Sequence, residues 1–383
     1  MPRQTNTLYL QDRAPMDRYI LWIVLVISAI GVMAVYSAIA FLAEVKADGD
    51  TGQFLLRHTL RVGLALVTMI VFSMLDYHQI ARWSRLFLVG SLFLLVLVRI
   101  FGVTYGGATR AFQVGLFSVQ PSDLAKIALI LNIAVLLVRK QEYIHNFTRG
   151  VLPLFFWTFL TVVLIGLEDL STAFLVLVSV MLMLYVGRVS LFHIGGGVIF
   201  SIACALLMLL SSPNRAQRVE SYLNLKIFTN TEETEVFDLQ AEGYQAHQAR
   251  IALAMGGWTG RGPGKSIQRD FLPTPYNDFI FAIISEEYGV LGSLVLLGLF
   301  VMILLRGFLR IARDAIDPLG LFLAVGCTTI LFLYTLVHTG VSVGILPVTG
   351  LPLPLISYGG TSMLAAGILL GILLNISRQL DRR

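Results

Sequence analysis

A single carboxylate, Asp278, closes the stretch FLPTPYND and stands directly before the apolar run FIFAII. A carboxylate at the threshold of an apolar segment can serve as a general base, because burial and distance from other anions tune its proton affinity. A helix N-cap is the competing role at that position; Asn277 could supply the cap instead, releasing Asp278 for proton chemistry. Upstream lie Arg215, Arg218, Arg261, Lys265 and Arg269, and Arg110 comes from a different polar stretch. Cations of this kind stabilise negative charge developing on a leaving group such as a diphosphate. Arg215 and Arg218 rank first, because they follow directly on an apolar run. Glu286 and Glu287 lie two turns into the run after Asp278. At about 100 degrees per residue, Glu286 falls nearer the Asp278 face and Glu287 roughly opposite.

Three further stretches carry chemistry or its imitation. GWTGRGPGKS ends like a phosphate-binding loop, but that pattern needs glycine where Thr259 stands and a strand before it. Its glycines could still let backbone N–H groups approach an anion. QPSDLAK places Pro121 in a first helical turn, with Gln120 or Ser122 as cap and Asp123 and Lys126 three apart on one face, the spacing of an ion pair. GVSVGILPVTGLPLPLISYGGTSM, residues 340–363, is broken repeatedly by Gly and Pro. Such backbone is admissible at membrane depth only where protein buries it or a cavity borders it, which predicts a re-entrant hairpin with Ser357 and Gly359 along the cavity. The six histidines show no metal-ligand spacing, and Cys204 and Cys327 sit in apolar runs, so no disulfide framework is expected. A divalent cation at the leaving group is compatible with these residues, although no ligand cluster stands out; no other cofactor is read from the sequence.

The elements that must position these residues are membrane helices. The 383 residues are 56% hydrophobic and 13% charged, half the charge content of a soluble domain, with mean hydropathy +0.80. Ten apolar runs are long enough to cross a bilayer: 19–43, 59–75, 84–101, 121–138, 150–167, 172–187, 192–211, 279–305, 318–342 and 356–377. The expected fold is therefore an all-α polytopic membrane protein, a single domain over residues 1–383. Basic residues cluster on one side of these runs, which puts both termini (1–18 and 378–383) in the cytoplasm and makes 212–278 one large extracytoplasmic loop. Within that loop, Tyr244, Gln248, Ile251 and Met255 form a helical stripe, predicting an amphipathic helix on the outer membrane surface.

NDFIFAIISEEYGVLG, ILPVTGLPLPLISYGGTS, QPSDLAK and GYQAHQARIALAMGGWTGRGPG, in this order of type and over roughly residues 17–380, resemble the SEDS family (shape, elongation, division and sporulation), which includes RodA and FtsW. The resemblance implies a ten-span peptidoglycan glycosyltransferase that polymerises lipid II outside the cytoplasmic (inner) membrane. Its implied partners are a class B penicillin-binding protein as transpeptidase, other division or elongation proteins and membrane lipids, with no nucleic acid. The family's essential aspartate falls on Asp278 and its acidic-lysine pair on Asp123 and Lys126, where the family more often has Glu. LEDLSTA keeps Asp169 and Thr172 of the usual Pro-Asp-Leu-Gly-Thr but lacks its Pro and Gly; GATRAF keeps Arg110 but lacks the usual Trp. GPGKSIQRDFLPTPYNDF looks more like the septal FtsW branch than the elongation branch. Two other classes are a carrier or flippase for lipid-linked precursors, which tends to show paired halves with matching helix breaks, and a non-catalytic scaffold. Here the breaks gather in the C-terminal half, which favours an enzyme.

Overall fold

The computed structural model describes residues 16–46, 51–105, 108–114, 117–210 and 242–380. In chain order its helices are α1 (Arg18–Lys46), α2 (Thr51–Met74), α3 (Tyr77–Arg82), α4 (Ser84–Phe101), α5 (Pro121–Lys140), α6 (Leu152–Glu168), α7 (Leu170–Val186), α8 (Leu191–Leu210), α9 (Glu242–Gly256), α10 (Ile280–Arg306), α11 (Pro318–Ser342) and α12 (Thr361–Ser377). Eight are long and apolar enough to cross a membrane; α7 and α12, at 17 residues each, are equally apolar but shorter. These ten coincide with the ten runs expected from hydropathy, and the protein is a polytopic all-α membrane protein. In lipid each helix satisfies its own backbone, which is why so apolar a chain has little choice of element.

A small β-sheet departs from the expected all-helical pattern. β1 (Val103–Tyr105), β2 (Ala108–Val114) and β3 (Phe117–Val119) form an antiparallel meander in that order, with Val103 opposite Ala111 and Gln113 opposite Ser118. Two-residue connections with glycine join short β-branched and aromatic runs, YGGA and VGLF, which is hairpin chemistry that the polar reading of this loop passed over.

The bundle has two distinct ends. At one, the Asp17 N–H donates to Ser377 Oγ at 3.2 Å, Arg306 binds Asp17 through two nitrogens at 3.0 and 2.7 Å, and Tyr77 and His78 reach Asp317 at 2.6 and 3.1 Å. The described residues nearest both termini therefore share one end. α2 and α12 pack with almost no intervening side chain. A Cβ on Gly367 would lie 2.4 Å from the Ala65 carbonyl, and one on Gly371 would lie 2.6 Å from that of Met69.

Two local expectations need correction. The N-cap of α10 is Phe279, which makes no side-chain cap bond, so neither Asn277 nor Asp278 caps the helix. α10 is also not one straight span: Gly289 adopts φ 69° and ψ −168°, which breaks it into residues 280–288 and 290–306. α9 docks by a face other than the stripe Tyr244, Gln248, Ile251 and Met255: it buries Ala249, Ala252 and Gly256 against α10, where a Cβ on Gly256 would lie 2.0 Å from the Ser285 carbonyl, while Met255 stays exposed. A small-residue face permits that approach; an apolar stripe of large residues would not.

Candidate active site

Residues 343–360 are irregular and connect α11 to α12. The segment enters the bundle: a Cβ on Gly31, near the middle of α1, would lie 2.9 Å from the Leu355 carbonyl and from the Ile356 Cα. This is the re-entrant hairpin expected from its Gly and Pro content. Leu355 holds φ 63°, a left-handed conformation rare for a branched side chain and a mark of backbone held by its surroundings. His338 on α11 hydrogen-bonds the Leu351 carbonyl through Nδ1 at 2.8 Å, and Ser357 Oγ accepts from Leu353 N–H at 2.8 Å.

The hairpin grips the chain on either side of Asp278. Ser357 Oγ donates to the Asn277 carbonyl at 2.7 Å, and Tyr358 N–H donates to the Tyr276 carbonyl at 2.9 Å. The two tyrosine rings meet edge to face at 5.5 Å. Asp278 itself is half-buried; Thr274 Oγ1 donates to its Oδ2 at 3.2 Å, and a Cβ on Gly350 would stand 4.0 Å from both carboxylate oxygens. Gly350, at φ 67°, thus faces the carboxylate with nothing larger than hydrogen. Burial, then Tyr358 and the Asp278 charge, push the Tyr276 phenol above its ordinary value, so it remains a neutral donor. His58 stacks on Tyr358 at 5.6 Å, and the Arg61 guanidinium lies 4.4 Å over the same ring.

The acidic-lysine pair sits beside this cluster. Lys126 Nζ donates to Asp123 at 2.6 Å and to Tyr334 OH at 3.1 Å, and Thr361 Oγ1 donates to the other Asp123 oxygen at 2.8 Å. α5 is thereby tied to α11 and to the first residue of α12. The shorter carboxylate reaches its partners without difficulty. Gln120 occupies the cap position but makes no side-chain cap bond, and Ser122 Oγ is buried without a partner. A small cleft lies here, lined by Lys126, Tyr334, Pro352, Ser357, Ser362 and Met363; its lining includes Ser357 but not Asp278. Gly359 leaves room for Ser362: a Cβ there would lie 2.2 Å from Ser362 Oγ.

The glycine-rich stretch does gather N–H groups around an anion, and that anion is Glu286. Its fully buried carboxylate accepts from Ser266 Oγ at 2.5 Å, Ile267 N–H at 3.0 Å and Gln268 N–H at 3.1 Å, with Arg261 at 3.9 Å. Gly257, Gly260, Gly262 and Gly264 all take positive φ. At the Gly289 break, Val290 and Leu291 N–H groups donate to the Gly257 and Trp258 carbonyls, so the loop supplies acceptors the broken helix lacks. Glu287 takes the Ser37 hydroxyl, and Arg269 donates to the Ser37 carbonyl at 3.2 Å and to that of Gly264 at 3.1 Å. Arg269 is thus occupied in fastening the loop to α1, while Arg261 and Lys265 are exposed.

Arg110 lies half-buried on β2, whose neighbour β3 abuts the start of α12: a Cβ on Gly360 would lie 2.7 Å from the Ser118 carbonyl. Asp169 caps α7 by accepting from Ser171 and Thr172 N–H, which accounts for the Asp and Thr retained in LEDLSTA. Arg215 and Arg218 lie outside the described residues. Among the described residues, no three His, Cys, Asp or Glu side chains come together as a metal site. Arg61, His58, Tyr276 and Tyr358 went unremarked in the sequence. A cation and a histidine inside an apolar run were the available signal, obscured by starting the second span at residue 59.

The ordered set of hairpin, acidic-lysine pair and cradled Glu286 spans the same residues that a family model covers. The model described as Cell cycle protein, FTSW_RODA_SPOVE, matches residues 17–382. The chain belongs to this family. It is 37% identical to Stage V sporulation protein E of Bacillus subtilis, covering 94% of this chain and 97% of that one. It is 36% identical to a probable peptidoglycan glycosyltransferase FtsW of Geobacter metallireducens, over 95% of each chain. A solved structure described as structural coordination of polymerization and crosslinking by a peptidoglycan synthase complex superposes with TM-score 0.73 at 27% identity, covering 95% of this chain and 98% of that one. An aspartate-to-alanine variant of Rod shape determining protein RodA from Thermus thermophilus superposes with TM-score 0.69 at 25% identity, covering 96% and 99%.

Proposed function

We propose that this SEDS protein is a peptidoglycan glycosyltransferase that polymerises lipid II at the outer face of the cytoplasmic membrane, with Asp278 as general base. The observation that carries the reading is the position of Asp278: half-buried, facing Gly350 of a hairpin that penetrates the bundle and grips the Tyr276 and Asn277 carbonyls just before it. In the reaction a sugar hydroxyl attacks the anomeric carbon of the donor. The new C–O bond forms as the bond to the polyprenyl diphosphate breaks, the hydroxyl proton passes to the Asp278 carboxylate, and the electron pair leaves on the diphosphate. A diphosphate departs without protonation, so one carboxylate suffices, whereas a glycosidase needs two. Asp123 and Lys126 then act as a buried tie that fixes α5, α11 and α12 around the crevice.

The Asp17 end lies in the cytoplasm on this reading, since basic residues gather there. The FtsW and sporulation names among the relatives support a septal role, and a class B penicillin-binding protein is the expected transpeptidase partner. The test uses purified protein in detergent with labelled lipid II, with and without the cognate transpeptidase. Wild type yields glycan polymer where there are no two sides to transport between, and folded Asp278→Ala yields none. Wild-type polymer from that variant would falsify the base assignment.

A further inference from the structure

We propose that Arg61, on α2, is a contact for the diphosphate of the lipid-linked donor, presented over the ring of Tyr358. The inference rests on the reading above and adds a cation that lies outside the polar loops altogether.

Position comes first. Arg61 is the eleventh residue of α2, so it lies about 15 Å along the helix axis from Thr51. An ionisable group at that depth is costly unless it has a partner or a task. Several other charges in the interior have partners: Lys126 with Asp123, Arg306 with Asp17, Glu286 in its cradle, and Glu287 with Ser37; the buried Glu168, whose carboxylate oxygens make no hydrogen bond, is an exception. Among the described residues no carboxylate forms an ion pair with Arg61; its contact is the face of Tyr358. A ring face is worth about 0.5–2 kcal/mol to a cation, too little by itself to offset bringing a guanidinium so far from the headgroups.

Direction comes second. Ala65 and Met69, one and two turns further along α2, touch Gly367 and Gly371 on α12. The two helices run parallel, so continuing that contact back towards the start of α12 brings His58 and Arg61 against Tyr358, the residue that binds the Tyr276 carbonyl two positions before Asp278. Arg61 is half-buried, and its neighbour His58 is fully buried with both ring nitrogens lacking a hydrogen-bond partner. On this proposal the cation over Tyr358 meets the diphosphate that a polyprenyl chain brings in from the lipid. Guanidinium suits this task better than ammonium, because its planar fork can hold two phosphate oxygens at once while its face stays on an aromatic ring.

The test measures lipid II polymerisation and, separately, direct binding of undecaprenyl diphosphate by thermal shift, in wild type, Arg61→Gln and Arg61→Lys. Arg61→Gln is expected to raise KM for lipid II and weaken undecaprenyl diphosphate binding by about tenfold, with kcat and the ligand-free melting midpoint little changed; Arg61→Lys restores part of both. Undecaprenyl monophosphate and phosphatidylglycerol are the controls for source. If phosphatidylglycerol shifts wild type as strongly as undecaprenyl diphosphate and loses that shift in Arg61→Gln, the site is for bulk phospholipid headgroups and the inference is overturned. It is equally overturned if Arg61→Gln keeps the wild-type KM and diphosphate shift, or if both variants melt early with equal loss of binding. Should wild type bind undecaprenyl diphosphate through Arg61 yet make no polymer, the glycosyltransferase reading fails while the binding site stands.

Discussion

Glu286 and Asp278 are eight residues apart, and the same loop leads to both, yet their surroundings differ in kind. Glu286 is fully buried and saturated: one hydroxyl and two backbone N–H groups hold it, and Arg261 stands behind them. Asp278 is half-buried and faces a glycine. A carboxylate wrapped by donors from its own chain is spent on structure, because any movement leaves several buried polar groups unpaired. A half-buried carboxylate facing a glycine is not enclosed in that way. Charge and depth alone would have ranked Glu286 the stronger catalytic candidate; the surroundings reverse the ranking.

The largest expected effect separates the two on rate. Asp278→Ala loses at least about 100-fold in polymerisation while stability in detergent changes by less than about 0.5 kcal/mol; an equal loss of both would erase the distinction. Next comes stability. Glu286→Ala strands Ser266 Oγ–H and two N–H groups and should destabilise the protein by about 3 kcal/mol, seen as an early melting transition and as protease cleavage within 257–270. A variant that melts like wild type would show that the cradle is incidental.

A smaller effect probes the crevice itself. Gly350→Ala puts a side chain at φ 67° opposite Asp278. The left-handed backbone should cost about 1–2 kcal/mol, and the new methyl should lower kcat, whereas the same change at the exposed helical Gly243 should do neither. The smallest concerns the opposite end. Its hydrogen bond to Asp317, against the cost of burial and with help from Asp76, raises the His78 pKa to about 9. The folded value lies above the ordinary histidine value of 6.5, so this contribution is complete below that pH and is lost as pH rises through about 9. His78 is half-exposed, which limits the effect to under about 1 kcal/mol. Melting midpoints of wild type and His78→Gln should therefore differ most near neutral pH and converge in alkali; divergence in alkali would remove the link between α3 and α11.

Hydropathy alone located the ten long helices, because roughly 20 apolar residues in lipid must form hydrogen bonds within themselves. Broken backbone at 340–363 likewise announced a hairpin buried in protein, since lipid offers its groups nothing. The spacing of Asp123 and Lys126 foretold their pairing, which needs only one helical turn. These are local properties, fixed by residues near one another in the chain. Which anion the glycine-rich loop would hold was not local: Glu286 satisfies it from a different element, and only packing of 257–270 on α10 reveals that. The break at Gly289 depends on the same contact, because its stranded N–H groups are answered by Gly257 and Trp258. Arg61 reads in sequence as a stray charge in a span; its place over Tyr358 exists only because glycines on α12 let α2 lie against it.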